Sequence, residues 1–256
     1  SDRPDSGRHP GRPVTRRPAS RGPAMPPLPP RSTPPPRRSA PETGLPSPLA
    51  AVADPGPIEL FEDIESICVL ECESIHQGID ALDLMVKEAR TRILAGEPIP
   101  PGRFLIVLGG AVGEVESAFR RGLENAGALH DHLFLPEVAS GVLPALRSGP
   151  RENAPEAIGL FETSSASACL DAADRGLKDA AVQLLQIHLT RGIGGKGFGI
   201  FAGRQDMVEA ALAAAEERGR AHGRWIGSTL LARPDRAVVD RILAADWGRF
   251  AGQEIL

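Results

Sequence analysis

From residue 65 onward the chain alternates short continuous apolar runs with longer stretches whose apolar positions recur every three or four residues. Glu65–Cys72 (ESICVLEC) is too short for a buried helix and reads as a strand, after which Ile75, Ile79, Leu82, Val86 and Ala89 fall on one helical face. A second strand is expected around Thr91–Ala95, running into the rigid turn Pro98-Ile-Pro-Pro-Gly102, and Phe104–Leu108 supplies a third, closed by Gly109-Gly110. Val112, Val115, Phe119 and Ala126 mark a second helix ended by Gly127, and Leu129–Leu135 before Pro136 is a last strand. The predicted order is βαββαβ. Ser148–Pro155, with two prolines and a glycine, reads as a linker.

The same order then returns. Ala157-Ile-Gly-Leu-Phe-Glu-Thr163 opens it, a helix carries Cys169, Ala173, Leu177 and Ala180, and Val182–Leu189 and Phe198–Ala202 are apolar runs on either side of a glycine-rich loop. Glu71, Asp83 and Lys87 match Glu162, Asp174 and Lys178 at a constant offset, while Gly110, Val115 and Glu116 match Gly203, Val208 and Glu209 two residues further on. Pro136 falls against Pro234 in this register, and Ile99–Phe104 against Ile193–Phe198. The chain is a tandem duplication. The fold class is α/β, of the α+β kind, with two βαββαβ domains expected over 65–147 and 156–235. Residues 236–256, with Val238, Val239, Ile242, Leu243, Trp247 and Phe250, read as an amphipathic helix.

The first 57 residues are of a different kind. They hold 17 of the 25 prolines, nine arginines and no lysine, without apolar periodicity, and are expected to be disordered. Nine arginines against Asp2, Asp5, Glu42 and Asp54 make this extension basic, so the remainder is strongly acidic if the formal net charge is −4. No apolar stretch follows the arginines as a secretory signal requires, and no run of about 18 apolar residues could cross a bilayer. A cytosolic protein is expected, with neither membrane nor nucleic acid as a partner.

Candidate chemistry centres on Arg191-Gly-Ile-Gly-Gly-Lys-Gly-Phe198. Its glycines suit either a crowded symmetry axis or an anion cradle. A phosphate loop would follow Lys196 with Ser or Thr opening a helix, whereas Gly197 and an apolar strand follow here. Lysine occurs only three times, at Lys87, Lys178 and Lys196, and two of these are repeat equivalents. That usage points to an intermolecular contact needing a slim ammonium, against a simple i,i+4 pair with Asp83 or Asp174. His130 and His132 share a strand face without a metal-spaced partner, and Glu71 and Glu162 read as structural carboxylates. Cys68, Cys72 and Cys169 read as small core residues, and no catalytic constellation emerges. A trimeric regulatory protein binding a small effector between subunits is the alternative from another functional class.

The second repeat, with Ile158-Gly-Leu-Phe-Glu-Thr163, Ala172-Ala-Asp-Arg-Gly-Leu-Lys178, the glycine-rich turn and Ala232-Arg-Pro-Asp235, resembles a bacterial microcompartment shell domain along its whole length. Pro101–Gly110, Leu135-Pro136, Val142-Leu-Pro144 and Gly192–Lys196 are similar to the non-permuted tandem-domain type found in propanediol-utilisation compartments. The resemblance implies a non-enzymatic shell tile, a homotrimer forming a pseudohexamer. A central pore would be lined by Ile99, Pro100, Pro101, Gly102, Arg103, Ile193, Gly194, Gly195 and Lys196, passing small, anionic metabolites. It places Lys87, Lys178 and Arg233 at tile edges, Leu135 taking the arginine position in the first repeat. Other shell proteins are implied as partners, with cargo contacted through the amino-terminal extension or the carboxy-terminal helix. In the propanediol type a cysteine in the first turn holds an iron–sulfur cluster; Pro100 stands there in this chain, so no metal or other cofactor is expected.

Overall fold

The computed structural model describes residues 63–148, 155–190 and 192–244, so the Pro/Arg-rich extension and the end of the helix expected over 236–256 lie outside the described residues. The first repeat comprises β1 (Ser66–Cys72), α1 (Ile75–Glu88), β2 (Arg92–Ile99), β3 (Arg103–Gly110), α2 (Val112–Asn125) and β4 (Leu129–Leu135). A short helix α3 (Val142–Ser148) follows. The second repeat is β5 (Ala157–Thr163), α4 (Ala166–Asp179), β6 (Gln183–Leu189), β7 (Gly197–Gly203), α5 (Gln205–Ala221) and β8 (Trp225–Ala232), with α6 (Arg236–Ala244) in the place of α3.

Each repeat folds into a four-stranded antiparallel sheet, ordered β2-β3-β1-β4 and β6-β7-β5-β8. The uninterrupted apolar run of β1 reflects cover on both faces. Cys68, Leu70 and Cys72 join Met85, Val115 and Ala118 of α1 and α2, whereas Ile67 and Val69 belong to the cluster containing Val142, Leu143 and Leu146 of α3. Close approach is built in by small residues: a Cβ on Gly176 of α4 would lie 2.3 Å from Phe201 Cζ.

The strand β2 is longer than the pattern suggests, running to Ile99 through Pro98. It is a sheet edge, where a missing N–H breaks no ladder bond on the open side. The helix α3 had no periodic signal. It is seven residues long, and Pro144 sits in its first turn, where an N–H has no intrahelical acceptor.

The repeats share their irregularities. Ladder slips fall between Ile93 and Ala95 and between Leu184 and Gln186, and again between Glu71 and Cys72 and between Glu162 and Thr163. Register also corrects two equivalences drawn from sequence. Ile67 pairs with Leu135 as Ile158 pairs with Leu231, so the counterpart of Leu135 is Leu231 and not Arg233. Arg233 lies past β8, where its N–H donates to Glu156 O; Val138 N–H makes that bond to Glu65 O in the first repeat. Likewise Ile99 pairs with Arg103 as Thr190 N–H bonds Lys196 O, making Arg103 and Lys196 direct counterparts. The second turn is therefore two residues longer, and it is the site of the two-residue drift.

Candidate functional site

The β2–β3 turn is tight. Gly102 N–H donates to Ile99 O at 2.9 Å, and Gly102 takes φ +114°. The β6–β7 turn is wider, with Ile193 N–H bonded to Thr190 O and Lys196 N–H to Ile193 O, both at 3.4 Å. The two turns touch within one chain: a Cβ on Gly195 would lie 2.9 Å from Pro100 O and 3.4 Å from Arg103 Nη1. Gly195 also has φ +83°, so close approach and backbone conformation both select glycine. Pro100, Pro101, Gly102, Gly194 and Lys196 are exposed at this meeting point, and Ile193 and Arg103 are half-buried. Ile99, by contrast, is a core residue and does not face solvent. Each cation has a carboxylate beside it. Arg103 Nε lies 3.4 Å from Glu73 Oε2, and Lys196 Nζ lies 2.7 Å from Glu162 Oε1.

What brings the turns together is the junction between repeats. Glu71, at the end of β1, is buried, and its Oε1 accepts from both the N–H and the hydroxyl of Ser167 in the first turn of α4, each at 2.9 Å. A carboxylate at a helix N-terminus satisfies an orphan amide and the positive end of the macrodipole. Burial nevertheless pushes the Glu71 carboxyl up, against the bonds from Ser167, and the charge of Asp131 adds to the rise.

A second cluster ties the same junction. His222, at the end of α5, reaches Asp131 of β4 at 3.3 Å and Asp171 of α4 at 3.0 Å. Arg218 Nη2 lies 2.6 Å from Asp171, Ser165 Oγ donates to Asp131 at 2.5 Å, and Arg224 bonds the His130 carbonyl. Hydrogen bonds first to Asp131 and then to Asp171 raise the His222 pKa to about 9. Burial pushes both aspartates up, but the hydrogen bonds from His222, with those from Ser165 and Arg218, hold them below the usual carboxylate range. Sequence reasoning missed this cluster. The sequence holds little signal for it: Asp171 has a repeat counterpart in Asp80, but the register sets Asp131 against Gly227 and His222 against Ala126.

The lysines differ in surroundings. Lys87 is exposed and pairs with Asp83 at 2.5 Å, the simple i,i+4 arrangement. Lys178 pairs with the buried Asp174 at 2.7 Å and also bonds the Glu137 carbonyl of the first repeat. Ala139 N–H donates to the same Asp174 at 2.7 Å, so Lys178 is held at the junction. Arg233 is exposed, with φ +47°. His130 is satisfied by Glu73 at 3.3 Å and the Ser164 carbonyl, and His132 packs beside Phe119.

An iron–sulfur cluster needs thiolate ligands, and these residues do not fit one. Pro100 offers no sulfur. Cys72 stands opposite Phe104 and Cys169 packs against Gly197, closer to the turns than the sequence suggests, but both are buried. Burial raises the Cys72 thiol to about 11 and the Cys169 thiol further, keeping both neutral. Among the described residues no group of three or more His, Cys, Asp or Glu side chains is arranged so that it could hold a metal ion, and no helix is long and apolar enough to cross a membrane.

A profile of the BMC domain matches residues 66–138 and again 157–234. The bacterial microcompartment shell protein PduT of Citrobacter freundii is 37% identical over 175 residues, covering 68% of this chain and 95% of the relative. A crystal structure of a microcompartments protein from Desulfitobacterium hafniense DCB is similar at a TM-score of 0.62 and 31% identity, over 68% of this chain and 98% of that one.

Proposed function

The chain belongs to the BMC domain family, as a tandem-domain shell protein related to PduT, and on that premise we propose that three copies close into a pseudohexameric tile of a cytoplasmic microcompartment shell. The role is structural. Six domains surround one axis, the Pro100–Gly102 and Ile193–Gly195 turns meet there, and the opening passes small anions. Arg103 and Lys196 contribute up to two cations per chain, which together focus field in a narrow opening. Lys87, Lys178 and Arg233 face neighbouring shell proteins at the rim.

The observation that carries this reading is that surfaces buried at the junction inside the chain have repeat counterparts that the chain leaves open. Ile75, Ile79, Ile93 and Val238 are 37 to 54% exposed. Their counterparts by repeat register, Ala166, Leu170, Leu184 and Val142, lie at the junction inside the chain and are at most 2% exposed. One end of the chain thus presents the α1–β2 face, and the other presents α6 and β8, the elements that pack together within the chain as α4, β6, α3 and β4. A junction of the same kind between chains closes a ring after three copies when each of its junctions, internal and external, turns through one sixth of a circle. Native mass spectrometry tests this: three chains of 27.0 kDa give about 81 kDa, whereas a monomer or dimer at micromolar concentration overturns it.

A further inference from the structure

The two junctions are not finished to the same degree. Within the chain, α4 begins at Ser165, whose hydroxyl accepts from Ala168 N–H at 3.1 Å, and Glu71 reaches from the other repeat to take the Ser167 amide and hydroxyl. Its counterpart α1 begins at Ser74, which makes no side-chain cap bond to the helix; the Ser74 hydroxyl lies instead 2.8 Å from His76 Nδ1. The first turn of α1 is therefore uncapped by side chains, and the counterpart of Ser167 is the exposed His76. The counterpart of Glu71 is Glu162, which in the single chain is partly exposed and paired with Lys196.

Resting on the trimeric reading above, we infer that Glu162 caps α1 of the adjacent chain, its carboxylate accepting from the His76 N–H as Glu71 accepts from the Ser167 N–H, and that in doing so it gives up Lys196. The occupant is a second copy of this chain. The geometry of Glu71 is the template, since β1 and β5 hold the two glutamates at the same ladder position, Glu71 opposite Leu105 and Glu162 opposite Phe198. An uncapped helix N-terminus offers the carboxylate a charge-assisted bond that offsets part of the cost of its burial, as Ser167 does for Glu71.

The consequence reaches the turns. At the internal junction Glu71 is committed to α4, and Arg103 finds a second carboxylate in Glu73. The counterpart of Glu73 is Ser164, so Lys196 has no such substitute. When Glu162 moves to the neighbouring helix, the ammonium of Lys196 is left uncompensated at the meeting point of the turns. Closing the ring thereby creates the positive charge of its own centre, and a free monomer does not display it.

Two variants of the full chain separate this from the trimeric reading. Glu162→Ala leaves an exposed position and should not disturb the melting of the isolated chain, but should raise the concentration at which the trimer dissociates by about tenfold or more, as expected for a lost charge-assisted bond at each junction. Amide hydrogen exchange should show the His76 N–H protected in the parent trimer and fast in the variant. Lys196→Met removes the partner that Glu162 must give up and a like charge from the centre, so its trimer should hold at least as tightly as the parent, with the His76 N–H still protected. A trimeric parent indifferent to Glu162→Ala, or a Lys196→Met variant as weakened as Glu162→Ala, overturns the inference alone. A parent that stays monomeric overturns the trimeric reading and this inference with it.

Discussion

Ile79→Asp is the perturbation that most directly weighs the external junction against the internal one. Ile79 projects from α1 with 54% of its surface exposed, and its counterpart Leu170 on α4 is fully buried. Burying a whole isoleucine side chain is worth about 1.5–3 kcal/mol, so the half still open at Ile79 offers roughly 1 kcal/mol per junction, and about 3 kcal/mol over a closed ring. Aspartate removes that gain and places an unpaired charge in the contact, at a cost of several kcal/mol per site. Inside the free chain the same change touches only an exposed helix position, where the propensity difference is at most about 0.7 kcal/mol. The variant is therefore expected to fold and melt like the parent monomer while losing the trimer in sedimentation velocity at micromolar concentration. Leu170→Ala should do the reverse kind of damage, destabilising the chain itself by about 2–5 kcal/mol. If Ile79→Asp remained trimeric, or unfolded the chain as Leu170→Ala does, the equivalence of the two junctions would be wrong.

Much of the architecture was legible because it is written twice. Apolar runs separated by helical stripes give βαββαβ, and identical residues such as Glu71 and Glu162 or Lys87 and Lys178 hold the repeats in register wherever side chains have to pack. Legibility fails where side chains carry no such constraint. The glycine-rich turn has few landmarks, so the sequence alone does not position its two extra residues, which the Ile99–Arg103 and Thr190–Lys196 bonding locates. The helix α3 is short, begins through a proline and is apolar only toward the sheet it covers. The Asp131–His222–Asp171–Arg218 cluster was invisible for another reason. Its members are up to 91 residues apart, and most have no counterpart at the other junction. The two repeats differ most between the junction sealed inside the chain and the counterpart surfaces that the chain leaves open. Polar groups with fixed partners occupy the first, and open isoleucines the second.

Lys87→Ala should leave both chain and trimer stability within about 0.5 kcal/mol of the parent, since an exposed i,i+4 pair is worth little, yet weaken sheet assembly under electron microscopy; normal sheets would remove Lys87 from the rim. Lys178→Ala should in addition lower chain stability by about 1–3 kcal/mol in urea titration, because it strips a partner from the buried Asp174; an unchanged midpoint would count against the junction role. Purification without oxygen should yield protein lacking stoichiometric iron and visible cluster absorbance, and a cluster would show that Pro100 does not decide ligation. The last expectation concerns pH. His222 is raised from 6.5 to about 9, so its contribution is fully present below about pH 6.5 and is lost as pH rises through about 9. Asp131 and Asp171 are held below 3.8, so theirs is present above that value and is lost as pH falls through their lowered pKa values. Stability of the internal junction should therefore be greatest between roughly pH 4 and 6.5. The full rise of His222 would correspond to about 3 kcal/mol, and solvent reaching Arg218 and Arg224 around the cluster reduces this to about 1–2 kcal/mol. Chemical denaturation from pH 6 to 9.5 should show a decline of that size in the parent and a flatter profile in His222→Ala, which begins lower at pH 6. Parallel profiles would mean that the imidazole is not charged between its two aspartates, and that the junction is held by packing alone.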